Sequence, residues 1–139
     1  MVDFSQLLRK PVGEAKRPPA LPVGDYPGVI KGYAFGDNNR NRTPYIRFTL
    51  GLTGWPEDAD PVDGVDLSKR QKTRDYYLTD DAEWRLHDFI QTLGLDLAGQ
   101  SLEEAIPQTV GCSVMVSIRQ RLNQESNEQM DFVDQIVGV

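Results

Sequence analysis

Segments in which apolar and polar residues alternate constrain the fold most strongly, because a period of two is typical of half-buried strands. The clearest case is residues 45–54, where Ile46 and Phe48 would lie on one side and Tyr45 and Arg47 on the other. Four further strands are predicted, over residues 25–35, 72–79, 111–122 and 130–139. The chain is therefore predicted to be mostly β.

One long segment has helical rather than strand periodicity. Residues 80–94 place apolar side chains at helical spacing on one face. Asp80 and Glu83 have the spacing of a capping box, which predicts that this main helix begins there. A shorter helix with the same capping pattern is predicted to begin at Ser101 and to stop before Pro107.

The order of these elements predicts a barrel. Five coiled strands with the main helix between the third and the fourth is the plan of an OB-fold, a partly open five-stranded β-barrel. Gly28 and Gly32 in the first strand favour the bulges and coiling that barrel strands need. We predict an N-terminal arm over residues 1–22, formed by a short helix and a proline-rich extended segment, and an OB-fold domain over residues 23–139.

The charge of the chain is segregated along the sequence. The net charge of −6 and the pI of about 4.7 argue against a nucleic-acid partner when the whole chain is averaged. Residues 28–50 and 67–79 nevertheless each contain four cations and one carboxylate, which permits a basic surface. Residues 57–66 form an acidic loop with two open interpretations: a solvated loop, or one that competes with phosphates for a basic groove.

The sequence contains no recognisable catalytic or cofactor-binding arrangement. Its single cysteine and single histidine exclude an internal disulfide and the common structural zinc sites. No phosphate-binding loop, dinucleotide fingerprint or metal-ligand cluster is present, so we expect neither an enzyme nor a cofactor or metal. No apolar run approaches the length of a membrane span, and we expect a cytoplasmic protein without a membrane partner.

Three runs carry a resemblance to a known family. FSQLLRKP…RPPALPVGDYPGVIKGY, TPYIRFTL and YYLTDDAEWRLHDFIQTLGL resemble small phage proteins that are encoded near replication genes and usually described as single-stranded DNA-binding or uncharacterised. The resemblance covers nearly the whole chain. It implies an OB-fold and single-strand binding in the host cytoplasm, with replication proteins as further partners. The chain ends in the strand-like MDFVDQIVGV rather than an acidic tail, which argues against recruitment through such a tail.

The candidate nucleic-acid site is the face that OB-folds use for single strands. In these barrels strands 2 and 3, with the first-to-second and fourth-to-fifth strand loops, provide rings for base stacking and cations for phosphates. The candidate residues are Tyr33, Phe35, Arg40, Arg42, Tyr45, Arg47, Lys69, Arg70, Lys72, Arg74, Tyr77, Arg119 and Arg121. Lys72 and Arg74 share the inward parity of Tyr76, so they are expected beyond the barrel rim or after a bulge. An ordinary solvated strand face is the alternative for Tyr45 and Arg47. A solvated loop end is the alternative for Lys69, Arg70, Lys72 and Arg74.

Two further functions stay open. The first is a protein–protein interaction module, a replisome accessory or virion component that uses the same barrel, which the acidic pI and the apolar C-terminal strand favour. The arm and the open strand edges are also candidates for homodimer contacts. The second, an enzyme, is disfavoured by the missing catalytic groups. Trp55 and Trp84 each fit either base stacking or coverage of a core edge.

Overall fold

The computed structural model describes residues 8, 19–38, 40, 42–57, 59–125 and 127–139. Within them, five antiparallel strands form one sheet in the order β3-β2-β1-β4-β5. The strands are β1 (Gly24–Asp37), β2 (Pro44–Leu52), β3 (Lys72–Tyr77), β4 (Ser113–Asn123) and β5 (Glu128–Gly138). The mostly-β class and the number of strands are therefore confirmed.

Two short helices lie between β3 and β4, where the main helix was predicted. They are α1 (Glu83–Thr92) and α2 (Leu102–Ala105), and a 3₁₀ turn, Ile106–Thr109, follows α2 directly. A second 3₁₀ turn, Leu67–Lys69, precedes β3. None of the helices in the described ranges is long and apolar enough to cross a membrane.

The two predicted capping boxes differ in outcome. Ser101 caps α2, because its hydroxyl accepts a hydrogen bond from the Glu104 backbone N–H. The capping box at Asp80 is wrong: Ala82 is the N-cap of α1, without a side-chain hydrogen bond. A turn takes the place of the first predicted helical residues, since the Thr79 carbonyl accepts from the backbone N–H groups of Ala82 and Glu83.

A bulge in β1 changes which residues face the core. The register between β1 and β2 shifts between Ile30 and Gly32, so Lys31 is one extra residue in β1. After the shift, Tyr33 lies opposite Phe48, which is fully buried. Directly opposed residues of an antiparallel pair share a face. The bulge therefore turns the second half of β1 so that its odd-numbered residues face inward.

The core lies between the inner face of the sheet and α1. Phe48, Tyr76 and Phe89 form an aromatic cluster with ring centroids 5.4–5.9 Å apart, and Tyr76 and Phe89 are nearly parallel. Leu21 is fully buried in the same core. Its N–H donates to Asp131 and its carbonyl accepts from Gln120, which ties this part of the predicted arm to the sheet. Residues 1–7 and 9–18 of the predicted arm lie outside the described residues.

Side chains rather than backbone hydrogen bonds connect the two edges of the sheet. In the described part of the chain β3 and β5 are those edges, so the sheet is open although the barrel-like arrangement brings them close. The Lys72 ammonium pairs with the Asp131 carboxylate, and the Arg70 guanidinium lies 4.0 Å from the same carboxylate. We call this boundary between β3 and β5 the seam.

Candidate nucleic-acid interface

The outer face of β2 and β3 brings three of the predicted residues together. Tyr45 lies opposite Tyr77 in the strand register, and their rings meet edge to face with centroids 6.4 Å apart. The Arg47 guanidinium lies 5.1 Å from the centre of the Tyr45 ring. We call Tyr45, Arg47 and Tyr77 the aromatic–arginine face. It combines exposed ring surface with a cation, which are the two groups that hold single strands.

Arg47 already has an anionic partner on this face. It lies opposite Asp75 and makes a two-pronged ion pair, with Nε–Oδ1 at 2.7 Å and Nη2–Oδ2 at 3.0 Å. Hydrogen bonding to Asp75 raises the pKa of the Arg47 guanidinium above its ordinary value. Both side chains are substantially exposed, and solvent screens exposed pairs so that they contribute little to stability. A phosphate could therefore replace the carboxylate at little cost. Asp75 can be identified as the partner of Arg47 from the register of β2 against β3, in which the two residues lie directly opposite each other.

The loop between β1 and β2 carries two exposed arginines at the end of the strands where Tyr45 lies. The Asn38 N–H donates to the Thr43 carbonyl at 2.8 Å, and the Asn38 side chain accepts from the Arg40 N–H at 2.9 Å. Arg42 adopts a left-handed conformation with φ of 52°. Local hydrogen bonds thus form a tight turn that holds Arg40 and Arg42 at the same end of the strands as the aromatic–arginine face.

The predicted cations of β3 do not join this face. Lys72 lies opposite Leu50 and Arg74 opposite Phe48 in a regular register, so the predicted bulge or rim position is wrong and both residues keep the inward parity. Lys72 and Arg70 are engaged by Asp131 at the seam.

Arg74 and Lys69 lie apart from the aromatic–arginine face for different reasons. The Arg74 guanidinium lies 5.3 Å from the centre of the Tyr76 ring, under the edge of the sheet. Burial raises the pKa of Tyr76, and the neighbouring guanidinium opposes that shift. Lys69 is exposed in the 3₁₀ turn, near the end of the β2–β3 pair opposite to Tyr45.

Tyr33 and Phe35 lie on the opposite side of the sheet from Tyr45. The bulge at Lys31 places Phe35 opposite the buried Ile46, so its ring belongs to the inner face. Phe35 is nevertheless 61% exposed, because it lies at the end of the strand beyond the core. With Leu78 and the residues around α2 the two rings border a largely apolar cavity of about 530 Å³, which we call the Phe35 cleft. They cannot stack on the same bases as Tyr45.

The β4–β5 hairpin contributes an aromatic ring that sequence reasoning missed. Arg119 lies opposite Phe132 and also 3.8 Å from Asp134. The Arg121 guanidinium lies 5.4 Å from the centre of the Phe132 ring. Phe132 borders a cavity of about 550 Å³ at the seam, the seam cleft, which Tyr77 also lines. The sequence alone does not indicate a role for Phe132, because the register shift in this hairpin interrupts the alternation of β5 near Asp134.

The acidic loop and Trp55 lie at the far end of β2 from Tyr45. The loop joins Leu52 to Lys72, and the Leu50–Lys72 pair lies roughly 17 Å from the Tyr45–Tyr77 pair at about 3.3 Å per residue. Asp66 caps the 3₁₀ turn, and its hydrogen bonds from Ser68 lower the pKa of the carboxyl. Trp55 packs against the core, with its ring 5.9 Å from that of Tyr26.

Comparison with protein-family models and with curated proteins gives no relative from which a role could be transferred. No group of three or more His, Cys, Asp or Glu side chains in the described residues is arranged to hold a metal ion. No protein-family model matches the chain, and no curated protein matches it significantly. Function is therefore inferred from the geometry of the aromatic–arginine face and the clefts beside it.

Proposed function

We propose that this protein binds single-stranded DNA with little sequence preference on the outer face of β2 and β3. The observation that carries the proposal is the pair of tyrosines, Tyr45 and Tyr77, beside Arg47 and next to a loop with two exposed arginines. Bases would stack on the rings, each stack contributing about 1–3 kcal/mol, while the arginines neutralise phosphates. Stacking does not depend on base identity, which accounts for the low specificity.

We further propose that the fold is an OB-fold. The strand order β3-β2-β1-β4-β5, with the helices between β3 and β4, supports this assignment. The unpaired seam is compatible with an OB-fold, since these Greek-key barrels are themselves partly open. The resemblance to phage proteins supports a role in phage DNA replication or recombination in the host cytoplasm.

Binding would proceed by exchange at Arg47. In the free protein its guanidinium is held by Asp75 on the neighbouring strand. A phosphate offers the same two-pronged geometry as a carboxylate and carries its own condensed counterions. Release of those counterions favours the phosphate at low salt and loses its effect at high salt. We therefore expect an affinity that falls steeply as the salt concentration rises.

Fluorescence anisotropy of a labelled oligo-dT tests the proposal at low and moderate salt, with duplex DNA as a control. Tyr45→Ala should weaken binding by about 5- to 150-fold, the equivalent of one stack. Arg47→Ala should reduce the slope of log affinity against log salt by about 0.7. No binding at low salt would contradict the proposal.

Two matched substitutions control for general effects. Phe35→Ala removes a more exposed ring from the opposite face, and Lys69→Ala removes a cation from the far end of the strands. Both should leave oligo-dT affinity within about twofold of the unmodified protein. A loss equal to that of Tyr45→Ala would mean that the aromatic–arginine face has no special role.

A second candidate function is a protein–protein interaction module, and the Phe35 cleft favours it. This cavity of about 530 Å³ is mainly apolar and contains a ring that is 61% exposed. Exposed apolar patches of this kind mark contact sites between proteins. If a second copy of the chain binds there, sedimentation equilibrium should show dimers that Phe35→Ala dissociates and Tyr45→Ala does not affect. A monomer at all concentrations would contradict this form of the function.

A further inference from the structure

A third cavity lies between α1, β3 and β5, and its lining has no role in the binding described above. It measures about 390 Å³ and is bordered by Arg74, Trp84 and Arg85 together with the last residues of β5. We call it the α1 cleft. We propose that a bound single strand continues from the aromatic–arginine face across the edge of β3 into the α1 cleft, where a base stacks on Trp84. This inference rests on the proposed function.

The three surfaces are connected by shared residues. Tyr77 belongs to the aromatic–arginine face and also lines the seam cleft. Arg74 lines the seam cleft and the α1 cleft alike. A chain that leaves Tyr77 at the edge of β3 therefore enters the seam cleft directly and meets the α1 cleft at Arg74. Because β3 and β5 are edge strands that no backbone hydrogen bonds join, this path runs along the seam between them within the described residues.

Trp84 has the properties of a stacking platform. Its side chain is 55% exposed, and it projects from α1 away from the buried residues Leu86, Phe89 and Ile90. The Arg85 guanidinium lies 5.4 Å from the centre of the indole ring and adds a positive charge beside it. The cleft volume is at the small end of the range for ligand sites, which suits one nucleoside rather than a longer segment.

Arg74 supplies an unused hydrogen-bond donor on this path. Its Nε is buried and has no hydrogen-bond partner. Among the described residues, no other buried side-chain nitrogen or oxygen lacks a partner. An unsatisfied buried donor is unfavourable, so an acceptor that reaches it is stabilised. Because this nitrogen is closed to solvent, a base carbonyl or a phosphate oxygen between the two clefts would reach it only after the Arg74 side chain has rotated.

The charges around the α1 cleft indicate which part of the nucleotide enters it. Asp88 and Asp134 line the cavity together with Arg74 and Arg85, so the cations and the carboxylates are equal in number. A balanced site of this kind favours a neutral base over a phosphate. The phosphates would then remain outside, toward the exposed guanidinium group of Arg85.

The experiment uses Trp84 as its own reporter. Trp55→Phe leaves Trp84 as the single tryptophan and preserves an aromatic ring against Tyr26. The variant is titrated with labelled oligo-dT of about four and about twelve nucleotides, within the site sizes of OB-folds. Anisotropy reports binding and tryptophan emission reports stacking. We expect both lengths to bind and only the longer one to quench Trp84.

Substitution at the same position completes the test. Trp84→Ala should weaken binding of the longer oligonucleotide by about 5- to 150-fold and leave the shorter one unchanged, while Trp84→Phe should retain most of the affinity. Binding of both lengths without quenching, and with Trp84→Ala neutral, would overturn the path through the α1 cleft and leave the proposed function intact. Absence of anisotropy changes with either length would overturn both.

Discussion

At the scale of single residues, several cations of this acidic chain lie close to carboxylates. Arg47 is held by Asp75, and Lys72 by Asp131 at the seam. Arg119 likewise lies near Asp134. These three pairs join different strands, so the fold brings together charges that are distant in the sequence. A nucleic acid must displace a carboxylate to reach Arg47, so removal of that carboxylate should favour binding.

Asp75→Asn should tighten binding of oligo-dT by up to about fivefold at low salt. The amide keeps the size of the side chain but releases Arg47 from its exposed pair, which is weak because solvent screens it. Anisotropy titration measures the change. Asp60→Asn in the acidic loop is the control, because it alters the net charge equally at a distance. An equal gain from both substitutions would mean that net charge, rather than the pair with Arg47, limits affinity.

At the scale of elements, the alternation of apolar and polar residues predicted all five strands. It did not predict in every strand which residues face the core. Ile46, Phe48 and Leu50 alternate without interruption, and all three are fully buried. The segment GVIKGY contains an extra residue whose position follows from pairing with β2, and no local pattern shows that Tyr33 turns inward. Likewise, the contact of Lys72 with Asp131 depends on how two sheet edges approach each other, which neither strand encodes alone.

Two glycines of β1 provide a matched test of this strand's packing. A Cβ atom on Gly28 would come within 2.7 Å of the Gly51 carbonyl oxygen, whereas one on Gly32 would meet nothing within 4 Å. Gly28→Ala should therefore destabilise the fold by about 1–3 kcal/mol through overpacking. Gly32→Ala should be neutral or stabilising by up to about 1 kcal/mol, since it restricts the unfolded chain. Urea unfolding compares the two, and similar losses would contradict the bulge geometry.

At the scale of the whole molecule, one carboxylate links the two edges of the open sheet. Asp131 accepts from the Leu21 N–H at 2.8 Å and pairs with Lys72, and its side chain is only 8% exposed. It thus links three parts of the chain, namely β3, β5 and the segment that precedes β1. Loss of one partner from a buried ion pair is strongly unfavourable, because it leaves the other charge uncompensated.

Asp131→Ala should lower the free energy of unfolding by about 3–5 kcal/mol. Asp134→Ala, three residues later on the same strand, removes a half-exposed carboxylate from a surface pair and should cost at most about 1 kcal/mol. Urea denaturation followed by circular dichroism measures both. Equal effects would show that the seam does not depend on Asp131.

The stability of the molecule should also fall in alkaline solution. Burial raises the pKa of Tyr76 above the ordinary value of about 10, so the folded state holds the phenolic proton more tightly than the unfolded chain. The contribution is complete below about pH 10 and is lost as the pH rises through the raised pKa. Tyr76→Phe should flatten this loss in urea titrations between about pH 9 and 12. Tyr77→Phe, which alters an exposed ring, serves as the control.

The burial of Asp131 separates two responses to ionic strength within one molecule. Contacts between exposed arginines and phosphates weaken with every increase in salt, whereas ions screen a buried pair far less. A salt step that elutes the protein from immobilised DNA should therefore leave the Lys72–Asp131 pair at the seam intact. Dilution alone should then restore binding, without a refolding delay, through repeated cycles of capture and elution.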